Sequence, residues 1–184
     1  SSAGENSEAF HADLAAWLAA HPETKLAFQP GRFQIRMGKE RLAPLYAAAA
    51  VVACNKEEAE RILGLGETDM RELLEKMRSL GPRIALITDG RNGAYTYDGS
   101  EMLAVPLYPD QKPPLDRTGA GDAMSSTFVI ALALGMTIRE ALLWGPINSM
   151  SVVQEIGAQK GLLSRDALNA YLAAAPKEYV VTPL

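Results

Sequence analysis

Apolar positions gather into short uninterrupted runs at residues 25–28, 51–54 and 84–88. Continuous rather than alternating apolar runs are what parallel strands covered on both faces require. Between them the spacing turns helical. Phe10, Leu14, Trp17 and Leu18 recur on one face of a helix that opens after Asn6 or Ser7 as N-cap and stops near His21-Pro22. Helices are also predicted over 40–48 despite Pro44, over 55–63, and over 68–80, where Gly81-Pro82 closes the turn. After the third apolar run, residues 94–97 and 102–105 alternate about Asp98-Gly99 and predict an antiparallel hairpin. An extended proline-rich connector follows at 106–114. Three helices are then expected, at 120–134, 138–156 and 165–174, broken by Gly135 and the glycines of 157–161, with a last strand at 179–181. Strands and helices in alternation predict an α/β fold of three layers, α/β/α, around a mainly parallel sheet.

Composition narrows the class. The chain has 184 residues, 48% hydrophobic, with 18 basic against 22 acidic side chains and a net charge of −4. That is the make-up of a globular domain, and 1–184 reads as a single one. The longest apolar runs, 45–54 and 128–135, fall well short of the roughly 18 residues a membrane span needs. No basic cluster is present, so neither nucleic acid nor a membrane surface is expected as partner. The single cysteine, Cys54, excludes an internal disulfide and suits a reducing, cytoplasmic compartment. It reads as a small core residue, as do Leu73, Leu74 and Met77 at helical spacing with Met70. His11 and His21 have no partner at metal spacing and read as surface or packing residues. The start, Ser1-Ser2-Ala3-Gly4, has no initiator Met and no signal-like stretch, and suggests a chain whose beginning has been removed.

The chemistry concentrates in Asp116-Arg117-Thr118-Gly119-Ala120-Gly121-Asp122, placed after an extended segment and just before a strong helix. Glycines there let the backbone approach a ligand, and the free N–H groups with the helix dipole form an anion site. No Lys-Ser or Lys-Thr follows the second glycine, so this is not a Walker A loop, and the spacing is not that of a dinucleotide fingerprint. Asp122, in the first helical turn, can serve as general base for a hydroxyl attacking a phosphate held on the glycine amides. The competing reading is an Asp that caps the helix beside glycines that only turn the chain. Asn55 with Glu58 opens another helix after a strand, where capping and metal binding are both open. Thr88, Gly90, Arg91 and Gly93 lie at the end of the 84–88 strand, a place where ligands bind in open α/β sheets.

The loop from Asp116 to Asp122 resembles the signature of ribokinase-like (PfkB) carbohydrate kinases, usually Asp-Thr-Thr-Gly-Ala-Gly-Asp. The resemblance implies Asp122 as catalytic base and Gly119, Ala120 and Gly121 as anion hole. It implies Asp116 and Thr118 beside a monovalent cation such as K+. Arg117 departs from the usual Thr, with a side chain that need not enter the site, and Thr127 replaces a small residue on the following helix, a packing difference. Asn55 and Glu58 are similar to the family's Asn-x-x-Glu motif, which organises Mg2+ largely through water. Thr88, Gly90 and Gly93 are similar to its Thr-x-Gly-x-x-Gly segment beside the nucleotide, with Arg91 facing phosphate. Asn148 resembles a position bordering the adenine pocket, and Gly157 with Ala158 one in the loop closing the site.

The match runs from about Leu26 to Leu184 and corresponds to the carboxyl-terminal part of the family's domain, without the amino-terminal strands, the lid and most residues for the acceptor. The implied activity is ATP- and Mg2+-dependent phosphoryl transfer to a hydroxyl of a sugar or nucleoside. Alone, the chain should bind ATP weakly and transfer little, since holding the acceptor in place provides much of the rate. Self-association or association with the absent part would cover the exposed sheet. The alternatives are a nucleotide-binding or assembly module without catalysis, and an NAD-binding Rossmann protein, which the lack of a glycine fingerprint after the first strand disfavours.

Overall fold

The computed structural model describes residues 8–184. The elements, in chain order, are α1 (Glu8–Ala20), β1 (Leu26–Phe28), α2 (Arg32–Met37), α3 (Ala43–Ala48), β2 (Ala49–Asn55), α4 (Lys56–Leu63), α5 (Met70–Ser79), β3 (Ile84–Thr88), a 3-10 turn (Gly90–Asn92), β4 (Ala94–Tyr97), β5 (Met102–Val105), α6 (Ala120–Ala133), α7 (Ile138–Val152), α8 (Arg165–Ala173) and β6 (Thr182–Pro183). The strands make one mixed sheet in the order β1-β2-β3-β4-β5-β6. β1 runs parallel to β2 and β5 antiparallel to β6, which bears out the α/β class. Among the described residues no helix is long and apolar enough to cross a membrane.

The chain separates into two compact units, each considered by itself. The first holds residues up to Ile87 together with Tyr95–Met102. Its core is what the uninterrupted apolar runs demanded: Val51 to Cys54 of β2 and Ala85 to Ile87 of β3 are all buried. Leu73, Leu74 and Met77 of α5 are fully buried, as their spacing predicts, and Phe28 meets Tyr46 edge to face at 5.4 Å. Cys54 is a buried free thiol, pushed far above its usual range by burial first and by the Glu58 carboxylate second. It is therefore a packing residue without nucleophilic character.

Several elements differ from the expectation. Pro44 does not interrupt a helix but begins one, since α3 opens just before it, where a missing N–H is harmless. The short α2 stands where the apolar pattern shows only the Pro30-Gly31 break. The helix predicted over 68–80 starts at Met70 because Asp69 caps it, its side chain accepting from Arg71 N at 2.9 Å. In α1 the apolar face is only partly used: Leu18 is buried, but Phe10 and Trp17 are 58% and 47% exposed, and Trp17 stacks on His21 at 4.0 Å. His11 is a packing residue, 6% exposed, 3.3 Å from the Gln34 amide nitrogen. The N-caps expected at Asn6 or Ser7 lie outside the described residues.

The second unit comprises Thr88–Ala94 and Leu103–Leu184. α6 and α7 pack closely because Gly145 has no side chain. A Cβ there would stand 2.8 Å from Met124 Cε. α7 ends at Val152 rather than at 156, and the carbonyl of Val153 accepts from the amides of Leu115 (2.8 Å) and Asp116 (3.3 Å). The last strand is at 182–183 rather than 179–181. Tyr179 is buried instead, its ring 4.9 Å from Tyr108 and its hydroxyl donating to the Leu143 carbonyl.

Candidate active site

The second unit encloses a cavity of about 430 Å3. The segment at the end of β3 contributes Thr88, Gly90, Arg91, Gly93 and Ala94, and the start of α6 contributes Ala120 and Gly121. Met124, Pro146, Met150 and Val153, from α6, α7 and just beyond, give an apolar side, as do Leu107 and Tyr108 of the connector. Arg117, Asp110 and Ser149 supply further polar groups.

The entry to α6 is built by its glycines. Gly119 has φ +83°, the left-handed region, and a Cβ on it would stand 2.8 Å from Ala158 Cα, so only glycine closes this turn against 157–158. The same two segments are tied by Asp116, whose carboxylate accepts from Thr118 N at 2.9 Å and from Gly157 N at 3.1 Å. The Thr118 hydroxyl and amide, with the Gly157 amide, hold the Asp116 carboxyl below the usual carboxylate range. Gly121 is the opposite case. It lines the cavity, and a Cβ on it would meet nothing within 4 Å. Bare backbone therefore faces open space at the positive end of a 14-residue helix, whose N-cap Gly119 provides no side-chain hydrogen bond. Such an end suits an anion. Asp122 is exposed in the first turn.

The glycines after β3 work similarly. Gly93 has φ +93°, and a Cβ on it would collide with the Val105 carbonyl oxygen. Asp89 N donates to Gly93 O at 2.9 Å, and Asn92 Nδ2 donates to Asp89 Oδ2 at 2.9 Å, which closes the turn carrying Gly90 and Arg91.

Of the residues singled out in the sequence, Thr88, Gly90, Arg91, Gly93, Ala120 and Gly121 come together on this cavity. Gly119, Asp116, Thr118 and Gly157 form the frame behind it. Asn148 is turned inward: its Nδ2 donates to Thr127 Oγ1 at 2.7 Å and its Oδ1 accepts from Leu163 N at 2.9 Å. Its amide thus ties α6, α7 and the following loop together. Thr127 is accordingly a hydrogen-bond partner and more than a packing difference. In the first unit, Asn55 and Glu58 make a reciprocal capping box, Glu58 N to Asn55 Oδ1 at 2.8 Å and Asn55 N to Glu58 Oε2 at 3.0 Å. Two charged residues of the lining, Arg117 and Asp110, have no assignment to the site in the sequence, nor do its apolar members. Arg117, whose side chain need not enter the site on the family resemblance, lines the cavity, and Asp110 lies in no motif.

The α/β fold that carries this cavity is that of ribokinase-family kinases of known structure. The nucleoside kinase of Methanocaldococcus jannaschii, a solved structure, superposes with a TM-score of 0.70 at 25% identity, over 82% of this chain and 48% of its own. The Arabidopsis thaliana ribokinase complexed with ribose and ATP gives 0.76 at 20% identity, over 90% and 52%. In sequence, the chain is 29% identical to the ATP-dependent 6-phosphofructokinase of Thermoanaerobacterium thermosaccharolyticum across 72% of this chain and 40% of that protein. Residues 5–165 match the family model described as pfkB family carbohydrate kinase, and the chain belongs to that family. It spans about half or less of the length of these relatives.

Proposed function

We propose that the chain, as one partial ribokinase-like domain over 1–184, carries the nucleotide-handling and proton-abstracting side of a phosphotransferase acting on a sugar or nucleoside hydroxyl. The observation that carries this reading is the bare start of α6, where Gly121 leaves open space beside unsheathed backbone inside a 430 Å3 cavity. That start offers room and positive potential to the transferring phosphate of ATP, with Gly119, Ala120 and Gly121 as the anion hole. The apolar side of the cavity suits a base, and Thr88, Gly90, Gly93 and Arg91 flank the phosphates. Asp122, one residue past the glycines, takes the proton of the acceptor hydroxyl as it attacks. Asn148 and Gly157 hold the surrounding helices and loop in place.

Mg2+ retains most of its waters and asks for few protein oxygens, which fits Asn55 and Glu58 acting through water, and when bound it supplies neutralisation of phosphate charge. K+ is assigned to Asp116 and Thr118, on a carboxylate that its neighbours keep ionised. The further reading is a non-catalytic nucleotide-binding or assembly module derived from such a kinase.

Asp122→Asn, made in the complete protein, separates the two. For a kinase it lowers phosphoryl transfer to sugar or nucleoside acceptors by about 10²–10⁴-fold with ATP affinity unchanged by calorimetry. Turnover equal to that of the unmodified chain removes Asp122 as base. Nucleotide binding with no ADP released under any acceptor selects the module.

A further inference from the structure

Arg117 is the largest departure between what the sequence suggested and what the cavity contains. It lies two residues before Gly119, in the loop that the Asp116 carboxylate fastens to Thr118 and Gly157, and its own carbonyl accepts from Ala120 N at 3.3 Å. The backbone that carries it is thus fixed, while its side chain is exposed and lines the cavity. Arg91 reaches the same cavity from the turn after β3. Among the described residues neither guanidinium makes an ion pair or hydrogen bond. Two unpaired guanidinium groups and one carboxylate, Asp110, leave the lining cationic, and the start of α6 adds roughly half a positive charge. This stands in a chain whose net charge is −4. The positive potential is therefore local to the cavity and not a general property of the surface.

Guanidinium is planar and matches phosphate oxygens two at a time. We infer that Arg117 is a phosphate-contacting residue that grips the terminal phosphates of the nucleotide and makes the cavity discriminate ligands by phosphate number, favouring a nucleoside triphosphate over a monophosphate. The inference rests on the nucleotide reading of the same cavity. Proximity to Gly119 places Arg117 at the end where transfer occurs, and Arg91 takes the other wall. Because the residue is exposed and its guanidinium pairs with nothing among the described residues, its removal leaves the fold intact.

The test is calorimetric titration of the chain with ATP, ADP and AMP, for the unmodified protein, Arg117→Ala and Arg117→Lys, at two salt concentrations. Arg117→Ala is expected to weaken ATP about tenfold or more, ADP less, and AMP not at all. Arg117→Lys keeps the charge and recovers part of the loss, and the salt dependence of ATP binding becomes shallower in the Ala variant. Thermal unfolding without ligand should coincide for all three proteins. Equal ATP affinity in Arg117→Ala, or equal losses for ATP, ADP and AMP, overturns the role of Arg117 and leaves the nucleotide reading standing. An unmodified chain that binds none of the three overturns both.

Discussion

Two helix starts that look alike in sequence are built for opposite purposes. α4 and α6 each follow an extended segment and each carries an acidic residue in its first turn, Glu58 and Asp122. At α4 the N-terminal amides are covered: Asn55 and Glu58 each accept from the other's backbone N–H. At α6 the cap is Gly119, which has no side chain to offer the amides, and Ala120 and Gly121 border a cavity. α5, α7 and α8 follow α4 in having side-chain caps, from Asp69, Thr137 and Ser164. A helix that has glycine in place of a capping side chain gives up roughly a few tenths of a kcal/mol of local stability. That sacrifice is understandable when a ligand is to take the place of the cap.

Three substitutions bear on the contrast. Gly119→Ala should have the largest effect, since it forces a left-handed residue against Ala158: a loss of about 2–4 kcal/mol, read as a drop in Tm of roughly 10 °C. A Tm within a degree of the parent would mean that the 157–158 loop yields freely. Gly121→Ala is the sharper probe, because the added methyl meets no protein atom and helix propensity improves. Stability should hold or rise slightly while ATP affinity falls about tenfold, and unchanged affinity would show that no ligand approaches this backbone. Asn55→Ala should cost about 1 kcal/mol, or roughly 3 °C in Tm, as the cap is lost. If Asn55 also orders the waters of Mg2+, ATP affinity drops only with Mg2+ present. Equal affinity with and without the metal reduces Asn55 to a cap and completes the contrast with α6.

Much of this was legible locally. The apolar runs located β2 and β3, and β3 occupies the predicted 84–88. The starts and stops of α5, α6 and α8 were found to within two residues, because capping side chains and terminal glycines act on their immediate neighbours. Of the cavity lining, Gly90, Gly93 and Gly121 were legible as turn and helix-start glycines, and Thr88 as the end of the 84–88 strand. Local pattern carried no information where a residue's surroundings are remote in sequence. The end of α7 depended on Leu115 and Asp116 using the Val153 carbonyl. The inward turn of Asn148 depended on Thr127 and Leu163, and the late strand on Tyr179 being drawn into a tyrosine cluster with Tyr108 and Tyr171.

By itself, then, the sequence determined the alternation of strands and helices, the glycine entry to α6 and the family resemblance, all set by apolar period and by backbone freedoms a few residues long. Tertiary structure decided which side chains share the cavity. It brought Arg117 and Asp110 to the lining, turned Asn148 away from it, and closed Asn55 on Glu58. Those outcomes follow from hydrogen bonds and close contacts that specify where a fixed backbone can aim a side chain, such as Asp116 to Gly157 across 41 positions, and no local pattern encodes them.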